Sequence, residues 1–429
     1  MSTTILKIKE KATVVLIAFL LSNTVFAVQS NLFKKDKGSD NKTFVTYNGK
    51  VVDKDNQTPL VFASISVEGT NIATVTNSEG KFSIKIPKNK LDGKIKILYM
   101  GYKNKILPIS TLKPDKNNLI ELKIVTINLT EISVFPNNPR LLIEKVIENR
   151  SKNYHNEPVL MTAFYRETVK RHRKYVGLSE AVVEVYKQSY KSNKKDAVKL
   201  YKGRSSRDVE KMDTLLFKLQ GGPASSLLLD IIKDPYMILA DDVLDSYDYS
   251  FANITRVDGE LNYVIEFKQS PHVITPLFYG KFYINMESFA ISSAFFSLNT
   301  DNRAEASAMF VKKKPLGVSV YPTSADYLVK YTEKDGKWYY SYSRGEVAFK
   351  VKWKRKLFSS NFTTMVEMAV TDWKKTEDKI FRPSDRIKMN TIMSEKVKGF
   401  GDKDFWGEQN IIEPEKSIES AIKKIMKKL

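Results

Sequence analysis

The stretch "NGKVVDKDNQTPLVFASISVEGTNIATVTNSEGKFSIKIP", Asn48 to Pro87, sets the fold class. Val61, Ala63, Ile65 and Val67 alternate with Phe62, Ser64, Ser66 and Glu68, and Phe82, Ile84 and Ile86 alternate with Lys81, Ser83 and Lys85. A period of two is the signature of a strand with one buried face. "DKDNQTP", "EGTN", "NSEG" and, just beyond, "KLDG" supply the Gly, Asn and Asp residues that tight turns need. Working outward, further strands are expected at Lys94–Met100, Lys103–Ile109 and Asn118–Ile127. About seven short strands with regular turns and no helix predict a β-sandwich over 44–135.

The marks Gly49-x-Val51-x-Asp53, Pro59-Leu60, Ala63-Ser64-Ile65, Gly69-Thr70, Thr74-x-Thr76, Gly80-x-Phe82, Gly101-Tyr102 and Leu129-Thr130-Glu131-Ile132 carry a resemblance. The segment resembles the carboxypeptidase-regulatory-like domain, a transthyretin-like sandwich common in cell-envelope proteins of Bacteroidetes. The resemblance implies a module that is not itself catalytic and that serves as an adaptor. Its Gly and aromatic residues are expected to set turns and fill the core.

The first 30 residues, "MSTTILKIKEKATVVLIAFLLSNTVFAVQS", place Lys7, Lys9 and Lys11 before an apolar run from Ala12 to Leu21 and an A-x-A-like Val25-Phe26-Ala27. This pattern predicts a secretory signal peptide at 1–27, followed by a polar, flexible leader at 28–43. The apolar run is too short for a spanning helix, and no later stretch is long enough either. Export places the chain in the periplasm or at the outer membrane. With no cysteine among 429 residues, disulfides and thiolate chemistry are excluded. The formal charge of +21 falls to +19 once the signal, with three Lys and one Glu, is removed. Such an excess favours anionic partners such as lipid headgroups, lipopolysaccharide, acidic glycans or nucleic acid, of which export disfavours nucleic acid; the expected partner is an envelope protein or an anionic membrane surface.

Beyond the sandwich, Asn138 and Pro139 are placed to start a connecting helix within 136–157, with Leu142, Ile143, Val146 and Ile147 as its apolar stripe. Residues 158–412 read as a larger antiparallel β-rich domain, a curved sheet or half-barrel with a few helices. Asp-Gly hairpin turns are expected in "VDGE" (257–260) and "KDGK" (334–337), and a helical interruption around Ala224–Lys233. The stretch "GKFYINMESFAISSAFFSLN" (280–299) is similar to the strand-turn-strand repeat of the outer-membrane lipoprotein carrier family, which implies an apolar groove. Residues 413–429 predict an amphipathic helix with Ile418, Ala421, Ile422, Ile425 and Leu429 on one face.

Catalytic signatures are missing. None of His155, His172 and His272 begins a His-x-x-Glu zinc pair, and all three are expected as isolated surface residues. "GVSVY" ends in Tyr and is no nucleophile elbow. Ser192 and Lys195 fit S-x-x-K only inside a charged turn, and "DKDNQ" reads as a turn and not as a calcium loop. No cofactor is expected. In "FKVKWKRKLF" (349–358), strand alternation puts Phe349, Val351, Trp353 and Arg355 on one face and Lys350, Lys352, Lys354 and Lys356 on the other. That lysine row is the candidate contact for an anionic surface. The reading that follows is a non-enzymatic envelope binding or adaptor protein. One alternative is a periplasmic lipid or lipoprotein carrier, and a second is a glycan hydrolase with undetected carboxylates. A packed sheet interior supports the adaptor, and an open apolar groove supports the carrier.

Overall fold

A computed structural model describes residues 43–426 except 115, 126–137, 208–218, 312–313, 355–356, 378 and 398–404. The signal and most of the leader, and the Leu129–Ile132 motif, therefore lie outside the described residues. Seven strands form the first part: β1 (Phe44–Asp53), β2 (Ser64–Val67), β3 (Ala73–Val75), β4 (Lys81–Pro87), β5 (Lys94–Leu98), β6 (Lys105–Pro108) and β7 (Asn117–Leu122). They make two facing sheets, β4-β1-β7 and β3-β2-β5-β6. Between them lies a core of Tyr47, Val51, Ile65, Phe82, Ile84, Ile95 and Ile97 among others.

The motif residues hold the turns. Asp53 caps its own turn by accepting the Asp55 and Asn56 amides at 2.8 and 2.9 Å, and its other oxygen accepts the Tyr102 hydroxyl at 2.7 Å. Thr76 donates to Leu60 O at 2.6 Å and accepts the Ala63 amide at 2.8 Å, closing the loop before β2. Gly80 has φ +73, and a Cβ there would meet Val51 O at 2.7 Å, so a side chain is excluded twice. One detail departs from simple alternation. Strand β2 starts only at Ser64, because Phe62 adopts φ +63 and leaves the strand register. Its ring instead packs on Tyr342 of the second part, 5.5 Å between centroids.

A helix α1 (Pro139–Glu148) follows, its first turn capped by the Asn138 side chain accepting the Arg140 amide. It ends at Asn149, and a separate single turn runs over Arg150–Asn153, so the connecting helix expected within 136–157 is broken into two pieces. Ten strands then form one antiparallel sheet: β8 (Val159–Arg171), β9 (Lys174–Lys187), β10 (Ala197–Arg207), β11 (Tyr247–Val257), β12 (Glu260–Gln269), β13 (Phe278–Asn285), β14 (Ile291–Leu298), β15 (Val318–Lys334), β16 (Lys337–Trp353) and β17 (Ser360–Lys375). The order is β10-β9-β8-β17-β16-β15-β14-β13-β12-β11, so the two end strands are unpaired with each other and the sheet stays open. Both Asp-Gly hairpins form as read. Asp258 and Gly259 have φ 53 and 97, and Asp335 and Gly336 have φ 53 and 71, the signs that a two-residue type I′ turn requires.

Both faces of the sheet are covered. On one face all ten strands contribute to a single core closed by α1 and by the helical interruption, here Gly222–Ser226, a 3-10 turn at Leu227–Leu229 and a last turn at Asp241–Leu244. Leu227, Leu229, Ile231, Ile232, Ile238, Leu239 and Leu244 of this segment are buried there. On the other face sit the sandwich and the segment 405–413. Val75, Phe164, Val182, Leu328, Tyr342, Ala369, Trp406 and Ile412 form their shared core. The segment acts as a clasp between the two parts. Ile411 O accepts Thr74, Ile412 O accepts Arg166, and Glu413 O accepts Asn77. The Asn410 amide both accepts from Lys85 N and donates to Lys85 O, covering the free edge of β4. Helix α2 (Arg303–Phe310) packs on β15, and the C-terminal helix α3 (Lys416–Met426) packs Ile418 and Ile422 on Leu178 and Tyr175.

Because the sandwich has a core of its own, a fragment of residues 40–135 is expected to melt in one cooperative transition. Its midpoint should lie below that of the intact protein, since Phe62 and Val75 lose the sheet. Calorimetry giving a broad, non-cooperative melt would show that the sandwich depends on the sheet for folding.

Candidate functional site

Alternation in β16 buries Phe349 and Val351 and turns Lys350 and Lys352 to the opposite face. The strand stops at Trp353, so Lys354 opens a turn and is fixed there by its amide donating to Gly317 O at 2.8 Å. Lys356 lies outside the described residues. The lysine row is therefore two strand residues and one turn residue.

Strand register shows what surrounds it. Trp353 pairs with Val318, Val351 with Ser360, and Phe362 with Arg171. The β8–β9 turn, the β16–β17 turn and the turn entering β15 thus meet at one end of the sheet. His172, at the first of these turns with φ 52, donates its amide to Asn361 O at 2.8 Å. A cavity of about 510 Å³ opens beside it, lined by residues that include His172, Arg173, Thr323, Lys350, Asn361 and Thr363. The segments 170–174 ("KRHRK"), 314–317 ("KPLG") and 350–358 ("KVKWKRKLF") contain no Asp or Glu. Among the described residues no carboxylate pairs with His172, Arg173, Lys350, Lys352 or Lys354. The described side chains lining the cavity include two cationic or titratable basic groups besides Lys350, and none is Asp or Glu.

The charged groups with strongly perturbed surroundings lie elsewhere, inside the two cores. Lys187 is fully buried and pairs with Asp196 and with Asp230, the latter at 2.6 Å. Asp230 also accepts the hydroxyls of Tyr190 at 2.6 Å and Tyr331 at 2.8 Å. Burial raises the Asp230 pKa, but the Lys187 ammonium and these hydrogen bonds hold it below the usual carboxylate range. On the sandwich face Arg166 donates to Glu180 at 2.8 Å and Glu367 at 3.2 Å, and Arg204 makes two bonds to the second Glu180 oxygen at 2.8 and 2.7 Å. These carboxylates are buried and already paired, which suits anchoring better than proton transfer to a substrate. Nothing in the sequence flagged them: Arg166, Glu180 and Arg204 meet across the neighbouring strands β8, β9 and β10, while Glu367 and Asp230 come from farther along the chain. The signal available was a charged residue inside an otherwise apolar strand.

His155 corrects the expectation of three surface histidines. His172 and His272 are exposed, but His155 is 2% exposed, stacked on Tyr339 at 5.2 Å and edge-on to Tyr190. Its Nδ1 lies 2.8 Å from Glu157 O, so that nitrogen carries the hydrogen and Nε2 is left as a buried lone pair without a partner. Adding a proton there creates a buried cation, and desolvation pulls the pKa down to about 4. Among the described residues no three His, Asp or Glu side chains group to hold a metal ion.

Fold and site together define a two-part β protein with a basic, cavity-bearing end and with buried ion networks on both sheet faces. Residues 47–134, about a fifth of the chain, match the CarboxypepD_reg-like domain family. Among solved structures the chain is similar to an outer membrane lipoprotein-sorting protein domain from Vibrio parahaemolyticus, at 9% identity over 58% of this chain and 97% of that one, with a TM-score of 0.26. It is also similar to a DUF1329 family protein from Desulfovibrio piger, at 13% identity over 58% and 99%, with a TM-score of 0.24. A third likeness is to the MucA/MucB complex of Pseudomonas aeruginosa, at 11% identity over 56% and 99%, with a TM-score of 0.19. No curated protein matches the chain.

The buried histidine fixes an acid response. Unfolded, the ring protonates near 6.5, while folded it stays neutral to about pH 4. The unfolded state therefore binds more protons between these values, and stability falls as pH drops through that window, by about 3 kcal/mol in all. Urea melts at pH 6.5, 5.5 and 4.5 should show this loss. His155→Phe should flatten the profile, and an unchanged profile would reject the buried neutral ring as its source.

Proposed function

We propose that the protein is a non-enzymatic binding or adaptor protein of the cell envelope, acting in the periplasm or at the outer membrane. The observation that carries the reading is the fate of the large sheet's apolar face. In a carrier that face would line an open groove. Here the chain's own 227–244 segment fills it, with seven apolar side chains and the Asp230–Lys187 pair. Burying such side chains returns roughly 1.5–3 kcal/mol each, on the order of 10–20 kcal/mol together. An acyl chain returning about 0.8 kcal/mol per buried methylene would need roughly 13–26 of them to match that. Breaking the buried pair would then cost about 3–5 kcal/mol more. Occupation from within favours the adaptor over the carrier.

Three further observations support the reading. The signal-like N-terminus points to export. Residues 47–134 match the CarboxypepD_reg-like domain, and that resemblance implies a module that is not itself catalytic. Two buried carboxylates, Asp230 and Glu180, are engaged by buried cations, which disfavours a hydrolase that uses these two. Among the described residues no helix is long and apolar enough to cross a membrane. In this reading Lys350, Lys352, Lys354 and Lys356 form the part that meets an anionic surface.

Titration of delipidated full-length protein with a fluorescent long-chain fatty acid separates adaptor from carrier. No saturable binding is expected at micromolar ligand. A 1:1 complex at that concentration would overturn the adaptor reading in favour of the carrier.

A further inference from the structure

We infer that the basic end of the ten-stranded sheet is a membrane-docking tip, which inserts Leu316, Leu357 and Phe358 into an anionic phospholipid bilayer. The three most exposed large apolar side chains among the described residues are these: Leu316 at 104%, Leu357 at 98% and Phe358 at 84%. They are not scattered. Val318 pairs with Trp353, and Lys354 N donates to Gly317 O, so the turn bearing Leu316 lies directly beside the turn bearing Leu357 and Phe358. Solvent exposure of three large apolar groups at adjacent turn ends is costly in water and has no internal compensation.

Charge identifies the partner. Lys314, Lys352 and Lys354 flank the apolar groups and are exposed, and Arg173 and Lys174 of the neighbouring β8–β9 turn are exposed as well. Protein–protein interface cores are depleted in lysine, so a lysine-ringed apolar tip fits a protein partner poorly. A bilayer interface suits it well. Apolar side chains reach the acyl boundary while long lysine stems keep their ammonium groups among anionic headgroups. The cavity lined by His172, Arg173 and Lys350 belongs to the same end of the sheet, and its basic lining suits a headgroup phosphate of the same bilayer. The inference rests on the envelope location proposed above and is independent of whether the 227–244 segment can be displaced.

Sedimentation of the full chain with vesicles tests it. Vesicles of phosphatidylcholine with about 30% phosphatidylglycerol should bind at least ten-fold more tightly than pure phosphatidylcholine, with affinity falling as salt rises. The triple variant Leu316→Ser, Leu357→Ser, Phe358→Ser should lose about ten-fold or more in affinity with an unchanged melting temperature, because all three side chains are exposed. The variant Lys350→Gln, Lys352→Gln, Lys354→Gln should show a clearly weaker salt dependence, the remaining part coming from Lys314, Arg173 and Lys174. In Phe358→Trp, emission should shift to the blue with anionic vesicles and be quenched by lipids brominated on their acyl chains. Failure of wild type to bind anionic vesicles overturns the inference. So does wild-type binding by the triple Ser variant, or an unshifted Phe358→Trp spectrum. The fatty-acid titration leaves all of these outcomes untouched, so the two proposals fail separately.

Discussion

An open antiparallel sheet with apolar groups on both faces cannot stand alone in water, and the rest of this structure follows from how each face is covered. One face is filled by the 222–244 segment and the other by the sandwich with its 405–413 clasp. Each cover is pinned by a buried ion network. Asp230 enters the first core as the partner of Lys187, Tyr190 and Tyr331. Arg166 leaves the sheet on the second face to bind Glu180, Glu367 and the carbonyl of Ile412. Buried pairs of this kind add little net stability against an apolar replacement, yet removing one partner costs about 3–5 kcal/mol. Their effect here is on register: a cover shifted by one residue would strand a charge in an apolar core.

This gives the sandwich a physical role. Its β3 edge and its turns are committed inward: Asn71 donates to Trp373 O, Lys330 of the sheet donates to Phe62 O at 2.6 Å, and Asn104 donates to Asp258 O at 3.0 Å. Burial and only partial relief by Asp258 pull the Lys330 pKa down to about 8, so this contact too is a desolvated one. The sandwich is thus a structural cover for the sheet as well as a candidate docking module. A sandwich held this way presents its remaining surface in a fixed orientation.

Features legible in the sequence were those decided within a few residues. The seven strands of the sandwich, the Asn138 cap and the hairpins at Asp258-Gly259 and Asp335-Gly336 follow from side-chain period and turn sterics, which are local. The amphipathic C-terminal helix was legible too, since Ile418 and Ile422 share one face. What was not legible depends on residues far apart in the chain. Phe62 looked like one member of an alternating strand, but its ring is taken by Tyr342, 280 positions on. His155 looked like a surface residue in "NYHNEP" and is enclosed by Tyr190 and Tyr339. Lys350 and Lys352 lie in β16, and Lys354 opens a turn set by Gly317 of the segment entering the neighbouring strand, a contact between residues 37 positions apart. Leu357 and Phe358 follow that lysine run directly, and a pair of apolar residues in a cationic turn was the available signal for the tip.

Register also gives the molecule two unlike ends. Val318, Trp353 and Ser360 mark the end that carries the basic turns and the exposed apolar side chains. Lys334, Lys337 and Lys375 mark the opposite end of the same strands. Sandwich contacts gather toward the latter: Asn71 reaches Lys334 and Trp373, and Gly101 and Asn104 reach the turn between β11 and β12. The long strands β15 to β17, of 16 or 17 residues each, separate the two ends by roughly 50 Å at about 3.3 Å per residue. A bilayer held at the basic end would therefore leave the sandwich well beyond the headgroups, outside a Debye length of the surface charge. The basic tip would then set where the protein stands, and the outward sheet of the sandwich would be free to meet a protein partner on the aqueous side.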